Sequence, residues 1–371
     1  MGGDFITFAE MGSMDSEGVY TEADSSEEQE ELYEQWRILV DKGQEPLRLD
    51  KFLVARIEHA TRNKVQIAIE NGKVIVNGKT VQSNYKIKPL DEIVVYTDRE
   101  VHGEEIIPEP MPLNMVYEDD DILIINKPPG LVVHPGSGNY TGTLINGVAY
   151  YLQQKDPGLT ETGLSRFGLV HRIDKNTSGL LVLAKTEQAV TRLAKQFFDH
   201  TVVRQYQALV WGDVEQDSGS VAAHIGRHKK TRKLFDAYPE GDAGKEAVTH
   251  YKVLERFGYV TLIECILETG RTHQIRVHMQ HIGHPIFNDE TYGGDRIVKG
   301  TVYTKYKQFV DNCFEICPRQ ALHAKTIGFV HPTTKASMLF DSELPGDMQQ
   351  VIEKWRGYVQ TKRTGYENSI R

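Results

Sequence analysis

The sequence predicts an α+β protein: a small unit of two helices and a hairpin, then a larger unit built mostly of strands. Three observations carry this. Two short helical patterns precede a strand–turn–strand pattern within residues 47–97. A stretch spaced by Pro108, Pro110 and Pro112 follows, and beyond it apolar runs of strand length outnumber helical ones. The 371 residues give ample chain for two or three domains. The expected division is an acidic extension over 1–46, a small domain over 47–97, a linker over 98–112, a large domain over 113–355 and a tail over 356–371.

The composition, 39% hydrophobic and 26% charged, is that of an ordinary water-soluble chain. No apolar run approaches membrane-spanning length, and Met1–Glu10 lacks the basic and apolar blocks of a secretory signal. No membrane association is therefore expected. Cys265, Cys313 and Cys317 are too few and too late for a disulfide framework, which fits a reducing cytoplasm. The net charge of −9 misleads about partners. Residues 1–46 hold Arg37 and Lys42 against thirteen acidic residues, a balance of −11, which leaves +2 for residues 47–371. A nucleic-acid partner stays open, because the local cluster matters more than the sum.

Met1 to about Glu34 reads as disordered, with a marginal helix over Glu27–Val40. Within 47–97 the balance reverses, with nine Lys or Arg against five Asp or Glu. Leu49, Phe52, Leu53 and Ile57 fall at helical spacing, with Arg48, Lys51 and Arg56 on other faces. Thr61 is placed to cap a second helix that Asn71-Gly72 closes. Val74–Val76, an Asn77-Gly78 turn, a return strand at Thr80–Gln82 and a further strand at Ile93–Tyr96 complete the unit. RLDKFL, NGKVIVNGK and PLDEIVV together resemble the S4 RNA-binding domain. That resemblance implies a basic helical face lying on structured RNA, with Arg48, Lys51, Arg62 and Lys64 as candidate phosphate contacts.

Past the linker, Leu113–Glu118 and Ile122–Asn126 read as strands around the acidic turn Asp119–Asp121. Leu131–Asn139 (LVVHPGSGN) reads as a strand running into a Gly-rich loop, without the spacing of a phosphate cradle. Thr143–Gln153 and Glu187–His200 are helix candidates, and Val202–Trp211 is a strand with Arg204 and Tyr206 on one face. His228–Lys233 (HKKTRK) concentrates base between strand-like segments, which suits a hairpin tip gripping phosphates through Lys229, Lys230 and Arg232. Thr249–Glu255 and Tyr259–Leu267 are further strands, and Glu268–Gln280 starts in a turn and becomes a helix. His273, His278, His281 and His284 do not form a metal-ligand spacing, and Cys313 and Cys317 have no second pair, so no metal site is expected. Gln320–His323 and Phe329–His331 are late strand material, with Asp347–Arg356 a closing helix.

The centre of the chain is Gly168–Thr186, GLVHRIDKNTSGLLVLAKT. Two apolar runs, Gly168–Val170 and Leu180–Ala184, read as buried strands around a polar turn in which Asp174 lies between Arg172 and Lys175. Taken alone, Asp174 and Thr177 close a turn as readily as they present an acid, since Asp, Asn, Thr and Gly are common turn formers. The wider pattern is more specific. HRID with TSGLLVLAKT, then RQYQALVWG, then ETGRTHQIRVHMQHIGHPIFND with YGG, resemble in order the motifs of the RluA family of RNA pseudouridine synthases. With the S4-like segment ahead of it, and with VVHPGSGN and RQALHA, the pattern most resembles the large-subunit ribosomal RNA synthase D type of that family. Ile173 stands where the family usually has Leu, a conservative swap.

The resemblance implies a pseudouridine synthase domain with a central mixed, mainly antiparallel sheet flanked by helices and loops. It also implies isomerisation of uridine within RNA without a cofactor. Asp174 matches the catalytic aspartate, which either attacks the sugar or takes a sugar proton. Arg271 matches the basic residue that pairs with it, a planar guanidinium suited to bidentate contact. Tyr206 matches the ring that packs on the uracil, and Arg172 the arginine that enters the RNA where the uridine is flipped out. The implied partner is 23S-type ribosomal RNA or an assembling large subunit, acted on by a monomer. A glycoside hydrolase would need a second carboxylate across the scissile bond, which the central motif lacks. The competing readings are a non-catalytic S4-type RNA-binding adaptor and the same chemistry on transfer RNA.

Overall fold

Seven consecutive buried residues, Ser178–Ala184 (β7), form the strand about which the larger unit is layered. The structure is a computed structural model describing residues 33–57, 60, 62–97, 106–136, 138–155, 168–231 and 234–370. The acidic extension before residue 33, the Thr61 cap and Arg232 lie outside the described residues. The chain divides into two compact units, 1–104 and 105–371.

In the first unit, α1 (Leu49–Arg56) and α2 (Arg62–Glu70) cover a four-stranded sheet. Its strands are β1 (Tyr33–Leu39), β2 (Val74–Val76), β3 (Lys79–Thr80) and β4 (Glu92–Thr97), in the order β1-β4-β2-β3. Asn77 and Gly78 both take positive φ, 51° and 76°, as a two-residue hairpin with Val76 opposite Lys79 requires. Leu49, Phe52, Leu53, Val65, Ile69, Val74, Ile87 and Ile93 make the core. Residues 33–39 correct one expectation: they are a strand, not part of a helix. Pairing with β4 satisfies backbone that a helix there would leave without a core to rest on, and Val40 at its end is fully buried.

In the second unit, nine strands form one sheet. The remaining strands are β5 (Met115–Glu118), β6 (Ile122–Lys127), β8 (Val203–Trp211), β9 (Ser218–Ala222), β12 (Val248–Arg256), β13 (Val260–Leu267), β14 (Leu322–Val330) and β15 (Ser337–Asp341). The order is β5-β6-β7-β14-β8-β13-β12-β9, with β15 on β14. Only β7 and β14 run parallel; the other pairs in this sheet are antiparallel. Gly179 makes that parallel contact possible, because its φ is 118° and a Cβ there would stand 2.2 Å from the Ala324 carbonyl oxygen. A separate ribbon pairs β10 (His224–Arg227) with β11 (Phe235–Tyr238). Helices α3 (Leu144–Lys155), α4 (Glu187–Phe198), α5 (Gln274–His281), α6 (Thr304–Ile316) and α7 (Gly346–Ile370) pack around the sheet.

Several local expectations change. Leu131–Asn139 is a loop, with a single bridge between Gly136 and Asn139, because Pro135 and the glycines break the ladder. The apolar run before Asp174 is one bridge, Leu169 to Leu183, rather than a strand. The end of the expected linker lies against α3: Asn146 donates to the Ile107 carbonyl at 2.8 Å, and the Glu109 amide donates to the Asn146 carbonyl at 3.0 Å. Helix α7 runs well past Arg356, because Trp355 and Tyr358 continue its apolar stripe onto Phe309 and Tyr306.

Candidate active site

Asp174 stands in the loop that enters β7, and four buried side chains hold that loop. Lys127, the last residue of β6, is fully buried and donates to the carbonyls of Pro128, Leu131 and Lys175 at 2.8, 2.9 and 2.9 Å. Burial and the Arg319 charge pull its ammonium down to about 7, while Asp174 opposes the fall. Arg319 forks onto Asp347 at 2.7 and 3.0 Å and turns its remaining nitrogen to the Asn176 carbonyl at 3.1 Å. Gln320 reaches the Thr177 hydroxyl at 3.4 Å. His323 holds the Ser178 hydroxyl at 2.9 Å, and burial pulls that imidazole down to about 4, so it is neutral. On the other side, the Val182 amide donates to His171 Nε2 at 3.1 Å, and the His171 ring stacks on Phe197. A turn whose own residues favour many conformations is thereby fixed in one.

The acid itself meets α5. Arg276 Nη1 donates to Asp174 Oδ2 at 3.0 Å, while its Nε and Nη2 fork onto Asp289 at 2.7 and 2.9 Å. The guanidinium also lies over the Tyr292 ring, 5.0 Å from its centroid. Its two carboxylate partners raise the pKa of this buried group above the ordinary guanidinium range against the pull of burial. His273, in a left-handed conformation before α5, has Nδ1 2.8 Å from the Tyr292 hydroxyl and Nε2 3.8 Å from Asp174 Oδ1. Burial holds that imidazole below its ordinary value.

The partner of Asp174 is thus Arg276, and the expectation that Arg271 pairs with it is corrected. Arg271 lies in the turn before α5, where its Nε donates to the Glu246 carbonyl at 2.9 Å. It lines the same cavity without an ion pair to the acid. Arg276, in the first turn of the helix, is the residue whose side chain points at Asp174. The sequence carried a signal for this. Arg276 sits between Ile275 and Val277 in a run buried from Gln274 to Met279, and a buried guanidinium needs carboxylates. Asp289, Lys127 and Arg319 were missed likewise.

Two cavities meet at Asp174. One, of about 500 Å³, is lined by Asp174, Tyr206, Arg204, Arg271, Ile275 and Phe197 among others. The other, of about 670 Å³ and more polar, runs along Val132–Gly136, Asn288–Thr291 and Pro318–Gln320. Arg172, Ile173, His273 and Arg276 border both. Arg172 is exposed at that junction. Tyr206 comes from the centre of the sheet, opposite Cys265 and Ala324, and burial pushes its phenol up to about 12. A carboxylate with one oxygen held by Arg276, lining a cavity that an aromatic ring also lines, can serve as a nucleophile or a base for a planar ligand.

Lys229 and Lys230 are exposed in the β10–β11 loop, with Lys229 3.4 Å from Asp242. Arg48 and Arg62 both bind the carboxylate of Asp50, at 2.9 and 3.1 Å. Those arginines pull the buried Asp50 down to about 2. Lys51 is exposed, and the side chain of Lys64 lies outside the described residues. The histidines of the 273–284 run go separate ways: His278 bonds Thr249 and the Ala223 carbonyl, and His284 the Trp211 carbonyl.

Comparison with known proteins agrees with this architecture. Residues 121–281 match the family model described as RNA pseudouridylate synthase, and residues 47–93 match the S4 domain. The chain is 46% identical to an uncharacterized RNA pseudouridine synthase of Chlorobaculum parvum, over 85% of this chain and 96% of that one. It is 41% identical to the ribosomal large subunit pseudouridine synthase D of Zymomonas mobilis, over 82% of this chain and 93% of that one. The solved structure of human RNA pseudouridylate synthase domain containing 4 shares the fold, with a TM-score of 0.50 at 21% identity, over 66% of this chain and 93% of that one. The chain belongs to the RNA pseudouridine synthase family, an isomerase whose catalytic domain here follows an S4 domain.

Proposed function

We propose that this chain isomerises uridines of large-subunit ribosomal RNA to pseudouridine, with Asp174 as the catalytic carboxylate and the target base flipped into the cavity beside it. The observation that carries the reading is the environment of Asp174: Arg276 holds Oδ2 at 3.0 Å, and the cavity beyond leads to Tyr206. The reaction breaks the bond from C1′ to N1, turns the uracil, joins C1′ to C5, releases the C5 hydrogen as a proton and leaves N1 carrying a proton taken from solvent, so the product is an isomer of the substrate. Attack at C1′ and removal of the C2′ proton each need a carboxylate oxygen that Arg276 does not hold, and Oδ1 is that oxygen. Arg276 keeps the acid aimed through either route, and its fork on Asp289 keeps Arg276 aimed.

Tyr206 gives the uracil a ring to lie on while it turns. Arg172, exposed where the cavities meet, fills the gap the flipped base leaves in the RNA. Extruding a base costs a few kcal/mol, and a cation placed there offsets part of it. Arg48, Lys51, Arg62 and Lys64 in the S4 domain, with Lys229, Lys230 and Arg232 on the hairpin, hold the RNA by its phosphates. The ribosomal substrate is supported by relatives called ribosomal large subunit pseudouridine synthase D.

The test is Asp174→Asn. Tritium release from large-subunit ribosomal RNA carrying 5-tritiated uridine should fall by at least roughly 1,000-fold, with RNA affinity within about 3-fold of wild type. Full activity in the variant would overturn the role of Asp174. Release from transfer RNA alone would move the substrate, and binding without release from any RNA would favour an adaptor.

A further inference from the structure

We infer that the cavity beside Asp174 extends past the reacting nucleotide into a built anion site on Arg204, which takes a phosphodiester flanking the target uridine. The inference rests on the uridine site proposed above. Arg204 lies two residues before Tyr206 on the same face of β8, about 7 Å along the strand and within the reach of one nucleotide. Its residue exposure is 7%, yet among the described residues no carboxylate meets it. Its hydrogen bonds both leave from Nη2, to the carbonyls of Leu267 at 3.4 Å and Glu268 at 2.9 Å. Its buried Nε has no hydrogen-bond partner. Nη1 faces the backbone at Gly270, another residue of the cavity wall, where a Cβ would stand 2.7 Å from it.

Arg276 shows by contrast what this fold does with a buried guanidinium that has a permanent role: it supplies two carboxylates. A buried cation left with two carbonyls and the face of the Phe197 ring, 5.8 Å from its centroid, is costly unless an anion arrives. Burial lowers its pKa, and the group opposing this is the Tyr206 phenol, not an acid. A uracil carbonyl is neutral and would leave the charge uncompensated, whereas a phosphodiester oxygen matches it in charge and accepts from a guanidinium edge. Phe198, 82% exposed on the rim of the same cavity, offers a face on which an unpaired neighbouring base stacks, so the strand has a path past Arg204.

The test compares wild-type chain with Arg204→Met on a ribosomal RNA hairpin carrying one neutral methylphosphonate linkage, placed 5′ or 3′ of the target uridine. On unmodified RNA, R204M should lose roughly 10- to 100-fold in kcat/KM. Wild type should lose a similar factor from one of the two methylphosphonates, and R204M should lose less than about 3-fold from the same change. Should R204M not fold, Gly270→Ala displaces the guanidinium without removing its charge and should show the same insensitivity. Equal losses in wild type and variant, or wild-type kinetics in R204M, would overturn the anion site. Absence of wild-type activity on the unmodified hairpin would break the uridine reading instead, and the anion site with it.

Discussion

Each unit of this chain contains a buried charge shared between two partners of opposite sign, Asp50 in one and Arg276 in the other, and the two arrangements are mirror images. In the S4 domain the buried group is a carboxylate, Asp50, with Arg48 and Arg62 exposed at 38% and 54% of their side chains. In the catalytic domain the buried group is a guanidinium, Arg276, holding Asp289 inside and Asp174 at the cavity wall. The sign of the buried member decides the sign shown outward. A buried acid fixes cations where phosphates would meet them, and a buried cation fixes an acid where a substrate would meet it. Under the proposed function, the same ion-pair chemistry serves a binding face in one place and a reactive group in the other.

The comparison breaks most visibly at Arg276. Arg276→Lys keeps a charge but cannot fork onto Asp289 and still reach Asp174. Catalytic turnover should fall by roughly 1,000-fold or more, with RNA affinity little changed. Arg271→Gln, which removes a side chain that among the described residues is held by the Glu246 carbonyl, should cost less than about 10-fold. Single-turnover rates on saturating RNA separate the two. A larger loss for R271Q than for R276K would return the pairing role to Arg271.

That reversal of roles shows how much of the site the sequence reveals. Asp174 and Tyr206 lie in motifs whose order along the chain is plain, and β7, β8, β13 and α5 follow from periodicity. What periodicity does not give is direction. Arg271 and Arg276 are five positions apart around a turn-to-helix junction at Gln274, and only the helix start decides which one faces the acid. Leu131–Asn139 has the composition of a strand, yet Pro135 and the glycines leave it a loop along the second cavity. Residues 33–39 became a strand because β4 offered an open edge, a fact that no local pattern contains. Lys127 and Arg319 look like ordinary surface charges until the folded chain puts carbonyls around them.

Asp50 allows a test with a defined pH signature. Its pKa is about 2 in the folded chain against an ordinary 3.8, so its contribution is complete above pH 3.8 and disappears as pH falls through about 2. Asp50→Asn should lower the stability of the S4 domain by roughly 1 to 2 kcal/mol at pH 7. Hydrogen exchange of β2 and β4 amides reads that domain directly. The gap between variant and wild type should close between pH 4 and pH 2. A gap that stays constant over that range would mean the carboxylate acts by shape and hydrogen bonding rather than by charge.

The smallest effect distinguishes a binding face from a decorative one. Among the described residues, Arg48 and Arg62 share one carboxylate, so the trio keeps a surplus positive charge, whereas Arg56 pairs with Asp41 one to one and is neutralised. If the surplus meets RNA phosphate, R48Q or R62Q should weaken RNA binding by about 3-fold and reduce the slope of log affinity against log salt by about 1. R56Q should change that slope by less than about half as much, since its pair carries no net charge outward. Titrations of the full chain with a ribosomal RNA fragment at several salt concentrations provide both slopes. Equal changes for R56Q and R62Q would show that total charge alone draws the RNA, and that burying Asp50 serves the domain's fold rather than its grip.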